Sequence, residues 1–242
     1  MRSVFVKEFR SFLNSLIAYL VMVVFLTAMG LLVWVFPDTS VLDYGFADML
    51  TLFSLAPYVF IFLIPAITMR SFAEERRNGT LDLLFTKPLS EWEIIFGKFL
   101  ASLTLVLITL LPTLIYFFSI SALGNPAGNI DTSAVTGSYI GLLLLSSVFC
   151  AIGLLASAIT TNQIVAFIVA AFFCFIFFSG FHSASSLASS ANVSLLIKQA
   201  GILYHYETLS RGLIDSRDVV YFISLSFFML LITKTILSSR SW

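Results

Sequence analysis

Polar and apolar residues are segregated into long blocks along this chain. Continuous apolar runs, each near the roughly 20 residues a helix needs to cross a bilayer, place six spans at about 16–36, 49–69, 99–123, 138–159, 163–181 and 219–237. The ends of the fourth and fifth are the least marked, because 132–197 is a 66-residue stretch without a charge, divided only by Thr160, Thr161 and Asn162. A transmembrane barrel would show alternation in segments of roughly ten residues, and the runs here are unbroken. The expected fold class is therefore all-α, a polytopic membrane protein with six transmembrane helices, since helices satisfy their backbone polar groups internally.

Composition agrees. Of 242 residues, 59% are hydrophobic and 11% charged, with mean hydropathy +1.02. So few charges cannot cover a soluble core of that size. The zero net charge gives no case for nucleic-acid binding. Cys150 and Cys174 both lie inside apolar runs, which fits buried thiols and supplies neither a disulfide framework nor metal-ligand spacing.

Arg2, Lys7 and Arg10 precede a first run that is long for a cleaved leader and has no small-x-small site after it. A retained signal anchor is expected. Phe5, Phe9, Phe12, Leu13 and Leu16 recur at helical spacing, with Lys7, Arg10 and Asn14 elsewhere on the wheel. That pattern predicts an N-terminal amphipathic helix in the membrane interface, with a plain extension of span one as the alternative.

Basic residues set the orientation. The N-terminal segment, the segment Met69–Lys98 and the C-terminal end (Lys234, Arg240) hold ten Lys or Arg; the opposite side holds three, all in His182–Asp218. The positive-inside rule then puts both termini and Met69–Lys98 in the cytoplasm. Lys234 is near enough to the end of its span to snorkel.

Met69–Lys98 carries ten of the chain's 26 charged residues. Arg70–Arg77 can continue span two as a helix, with Arg70–Glu74 and Glu74–Arg77 at supportive spacing. Asn78-Gly79 is a natural stop. Thr80 is a candidate N-cap for a second short helix, with Asp82 in its first turn and Leu81, Leu84 and Phe85 on one face. Pro88 ends that helix by pushing Lys87 out of helical geometry. Ser90 and Glu93 have capping-box spacing, and Leu89 and Ile94 staple spacing, for a helix running into span three. A short amphipathic helix clamped between two span ends could pass a partner's movement to both; a solvated, capped loop would show much the same pattern.

Arg70–Lys98, with its Phe-Ala-Glu-Glu-Arg-Arg-x-Gly-Thr-Leu core and its Thr-Lys-Pro-Leu-Ser and Gly-Lys-Phe segments, resembles the permease subunits of type-2 ABC transporters. Lys7–Tyr19 is similar to that family's interface helix entering span one, and Tyr204–Phe222 to the segment leading into its last span. Leu16 stands where the family pattern has proline. Within the family the chain looks closest to the gliding-motility permeases of Bacteroidota, and somewhat less to nitrous-oxide-reductase maturation permeases. The resemblance implies one transmembrane permease domain over 1–242 in a bacterial inner membrane, in contact with membrane lipid. It implies a cytoplasmic coupling helix between spans two and three, and pairing with a second copy or a related permease. It further implies a cytoplasmic ABC ATPase partner that binds the ATP, leaving this chain without catalytic residues, metal or cofactor. The coupling residues would be Glu74, Glu75, Arg77, Gly79, Thr80, Leu84 and Pro88, with Glu74 and Glu75 first in line for polar contact. In resembling permeases the outer segment 182–218 forms re-entrant or interfacial helices, and here Gly212 would end one and Ser216 or Asp215 cap the next.

No Walker A pattern occurs, because Gly97-Lys98 is followed by Phe99 and position 92 is Trp. No charge lies deep in a span to mark an ion pathway. Pro57, Pro65 and Pro112 could kink spans two and three. Gly137-x-x-x-Gly141 and Gly153-x-x-x-Ser157 allow close helix contact, within the bundle or at a dimer seam. Phe172–Phe181 fits a lipid-facing or bundle surface. A rival intramembrane protease would need motifs that fail here: position 177 is Phe in the would-be Gly-x-Ser-Gly, Gly79 stands where Glu-Glu-x-x-x-Arg needs Arg, and His-Glu-x-x-His is missing. A channel or scaffold working without an ATPase is the other rival.

Overall fold

The computed structural model describes residues 1–44, 46–85, 88–126, 128–188 and 190–239. The described residues are helical and contain no strand. The elements are α1 (Arg2–Leu13), α2 (Leu16–Trp34), α3 (Val41–Tyr44), α4 (Leu50–Thr68), α5 (Ala73–Arg77), α6 (Thr80–Phe85), α7 (Glu91–Leu110), α8 (Leu114–Leu123), α9 (Thr132–Ile159), α10 (Gln163–Phe175), α11 (Phe181–Ser186), α12 (Ala191–Ala200), α13 (Ile202–Ser210) and α14 (Ser216–Ser238). Six stretches are long and apolar enough to span a membrane, namely Leu16–Trp34, Leu50–Arg77, Glu91–Leu123, Thr132–Ile159, Gln163–Ser186 and Ser216–Ser238.

The N-terminal helix α1 is separate from span one. Asn14 and Ser15 break the path, and the Ser15 hydroxyl accepts from the Ile17 amide, 3.3 Å, to start α2. An N-capping serine thus makes the elbow here, with leucine where the related pattern has proline. The capping box at α7 is present with both its bonds: Ser90 Oγ accepts from Glu93 N at 3.3 Å, and Glu93 Oε2 accepts from Ser90 N at 3.1 Å. Pro57 and Pro65 lie within α4, which stays helical across both. Pro112 sits in a 3-10 turn, Leu111–Thr113, that divides span three.

Helix α9 is the pillar of the bundle, in contact with α4, α7, α10, α13 and α14. It begins six residues before the expected 138, capped by Asp131, whose carboxylate accepts from Ser133 N and Ala134 N. Its small residues let neighbours come close. A Cβ on Gly137 would stand 2.8 Å from the Leu209 carbonyl oxygen, and one on Gly141 3.1 Å from Leu209 Cβ. A Cβ on Gly153 would collide with Thr68 Oγ1. Both glycine motifs therefore serve packing inside this bundle. Gly153→Val is expected to lower stability by about 1–3 kcal/mol through overpacking of spans two and four. Thermal unfolding of the detergent-solubilised protein checks this, and Thr68→Ala should recover part of the loss.

Span five changes pitch at Ile176–Gly180, one turn of π-helix. The extra residue turns Phe178 inward among Tyr58, Phe149 and Tyr206, with ring centroids 5.4, 6.2 and 6.3 Å away. Phe172 and Phe175 stay on the exposed surface. Beyond it α11, α12 and α13 form the outer segment; Gly212, at φ +81°, follows α13, and Asp215 caps α14 by accepting from Arg217 N. His205 Nδ1 lies 2.6 Å from Asp218 Oδ1 and joins α13 to α14. At the opposite face α1 packs on α7, and Ser238 Oγ, at the end of α14, donates to Glu91 Oε2 at 2.7 Å.

Candidate functional site

Span two does not run on as one helix into the charged segment. It stops at Thr68, and α5 starts at Ala73. The physical reason is a serine from α9. Ser157 Oγ accepts from Phe72 N at 2.9 Å and Ala73 N at 3.0 Å, and donates to the Met69 carbonyl at 3.0 Å. These are the backbone groups a helix break leaves without partners. Phe72 then enters the core, fully buried. One turn later Arg76 Nη1 donates to the Ile159 carbonyl at 2.8 Å, a cation at the negative end of α9.

The second fastening is ionic. Lys98, 1% exposed, lies on α7 just past its capping box. Its ammonium contacts Glu8 Oε1 and Glu75 Oε2, both at 3.0 Å, and donates to the Ser71 carbonyl at 2.7 Å. It also sits 5.1 Å from the Phe72 ring centroid. An ammonium has three donors, and three oxygens surround this one. Lys7 spans the same carboxylates, 3.1 Å from Glu75 Oε1 and 3.4 Å from Glu8 Oε1. Partial burial would lower the Lys7 pKa, but the Glu75 and Glu8 carboxylates outweigh it and hold Lys7 above its ordinary value. Gly97 lets α1 lie this close, since a Cβ there would stand 2.9 Å from Val4 Cβ. Two cations and two carboxylates from α1, α5 and α7 thus form one cluster.

Residues 2–238 match the family model described as ABC-2 family transporter protein. The chain belongs to that family. No curated protein matches it. As an ABC-2 permease, it is a membrane-spanning transport component.

Within this ABC-2 permease the seven expected coupling residues fall into two groups. Arg77, Gly79, Thr80 and Pro88 are exposed, and the first three form the tip between α5 and α6. Gly79, at φ +67°, makes the turn that a side chain would resist. Thr80 is the first residue of α6, and its hydroxyl donates to the Glu75 carbonyl at 3.3 Å. Glu74, Glu75 and Leu84 are held by the protein itself. Glu74 pairs with Arg70 at 2.8 Å, whose Nη1 also donates to Ser15 Oγ at 3.0 Å. Glu75 faces Lys98, and Leu84 is buried in the core with Leu81. Lys87 and the side chains of Asp82 and Phe85 lie outside the described residues. Sequence reasoning missed Lys98, Lys7, Glu8, Arg76 and Ser157 as parts of this site. Lys98 left one signal, a cation that follows the first acidic turn of α7 and stands among apolar residues.

Proposed function

We propose that this ABC-2 permease couples ATP hydrolysis on a separate cytoplasmic ATPase to substrate export, as one of two permease subunits, identical or related, that together form the pathway. The observation that carries this reading is the short α5–α6 element, whose exposed residues, among those described, form its tip, and which is fastened by buried charge and Ser157 to α1, α7 and α9. A push on the tip therefore reaches spans one, two, three and four as one movement. The excess of Lys and Arg in the segments that sequence assigns to this side, where α1 and the end of α14 also lie, supports a cytoplasmic position. The resemblance in Arg70–Lys98 supports a bacterial inner membrane and a gliding-motility system as the setting.

Arg77→Glu with Thr80→Glu tests this. Both side chains are exposed, so the spans should unfold as before, while co-purification of the cognate ATPase should fall at least about tenfold. Unchanged ATPase association and transport would overturn the coupling reading and favour a channel or scaffold.

A further inference from the structure

Beside the charge cluster lies an open cavity of about 310 Å³, between α1, the α1–α2 elbow and the end of span two. Its size is within the range of small-molecule sites, roughly 300–1,000 Å³. Phe12, Ile17 and Ile67 line its apolar side. Ile17 is in the first turn of span one and Ile67 in the last turn of α4. The cavity therefore straddles the level at which these spans leave the apolar layer, where lipid headgroups lie.

Its polar wall is balanced. Lys7, Arg70 and Lys98 face Glu8, Glu74 and Glu75, a net charge of zero. A net anion would leave one negative charge uncompensated, whereas a zwitterion leaves none. Donors remain for a phosphate. Three Arg70 N–H groups are used by Glu74 and Ser15, of the five that a guanidinium carries. The Lys7 side chain is 60% exposed. Ser71, in the same wall and 5% exposed, has a hydroxyl without a hydrogen-bond partner, which buried polar groups rarely lack. For the cationic end, Glu74 is the most accessible carboxylate, with 37% of its side chain exposed against 12% for Glu8 and 14% for Glu75.

We propose that this cavity binds a zwitterionic phosphate headgroup bearing a primary ammonium, the phosphoethanolamine end of a membrane phospholipid. The phosphate lies against Arg70 and Lys7, the Ser71 hydroxyl, itself buried in this structure, rotates toward the cavity to donate to it, and the ammonium donates to Glu74. A choline headgroup lacks N–H donors for that carboxylate. The lipid seats at the elbow between the interface helix and span one.

Native mass spectrometry of the delipidated full chain, with phosphatidylethanolamine, phosphatidylglycerol, phosphatidylcholine or inorganic phosphate added back, tests this. Phosphatidylethanolamine should be retained and raise the unfolding temperature, with the other two lipids retained about fivefold less and inorganic phosphate giving no protection. Ser71→Ala breaks no hydrogen bond within the protein. It should leave the lipid-free unfolding temperature unchanged and lower phosphatidylethanolamine retention about fivefold. Equal retention of phosphatidylglycerol, equal protection by inorganic phosphate, or unchanged retention in Ser71→Ala would each overturn the proposal. No readout involves an ATPase, so this result stands or falls apart from the coupling reading.

Discussion

Lys98→Met is expected to destabilise the protein by about 3–5 kcal/mol, since it leaves two carboxylates in a site made for a buried cation. Lys7 remains beside both carboxylates, 3.1 and 3.4 Å away, which favours the lower end of that range. The sign of the effect comes from the unpaired partners and not from the value of the ion pair itself. A buried pair exchanged whole for apolar or neutral groups is often near neutral. Glu8→Gln and Glu75→Gln added to Lys98→Met should therefore recover most of the loss. Denaturant or thermal unfolding of the solubilised protein measures both steps. A loss under about 1 kcal/mol in Lys98→Met would show that water reaches the cluster and that the pairs behave as surface ones. The triple variant separates folding from transmission. With the spans stable but α1 no longer tied to α5 and α7 by charge, transport should fall while ATPase association persists.

The parts of this fold that were legible in the sequence are those set by neighbours in the chain. The apolar runs placed six spans, and Ser90 with Glu93 announced the start of α7 because a capping box is complete within four residues. The helix of span four starts before the expected 138 for a reason just as local. Thr132, Ser133 and Thr136 are polar by composition, yet Thr136 Oγ1 donates to the Thr132 carbonyl, as Ser138 Oγ does to the Ala134 carbonyl. The Thr136 and Ser138 hydroxyls are satisfied inside the helix, so α9 runs back to the cap at Asp131. The site was legible only as a location. Glu75 looked like a contact for a partner because its spacing says nothing of Lys98, and Lys98 depends on Glu8, 90 residues away. The turn of π-helix that brings Phe178 inward has no local signature either: it answers to Tyr58, Phe149 and Tyr206, each from another helix.

Ser157→Ala is the sharper test of how the tip is held, because the change removes one atom and no charge. That oxygen accepts from two amides and donates to one carbonyl across the break between α4 and α5. Ser157 is fully buried, so water cannot replace it without opening the packing of α9 on span two. An unsatisfied buried N–H costs about 1–3 kcal/mol, and with two stranded the expected loss is about 3 kcal/mol after local relaxation. Because each 1.4 kcal/mol is a factor of ten, the Phe72 and Ala73 amides should exchange with deuterium roughly a hundredfold faster. Amides deep in α9 should change far less, since α5 can detach without the bundle unfolding. Unchanged exchange at Phe72 and Ala73 would mean that Arg76 on the Ile159 carbonyl and the Lys98 cluster hold α5 by themselves. Exchange accelerated throughout the chain would mean that the break is part of the core, and that any push on the tip acts on the whole bundle rather than on a hinge.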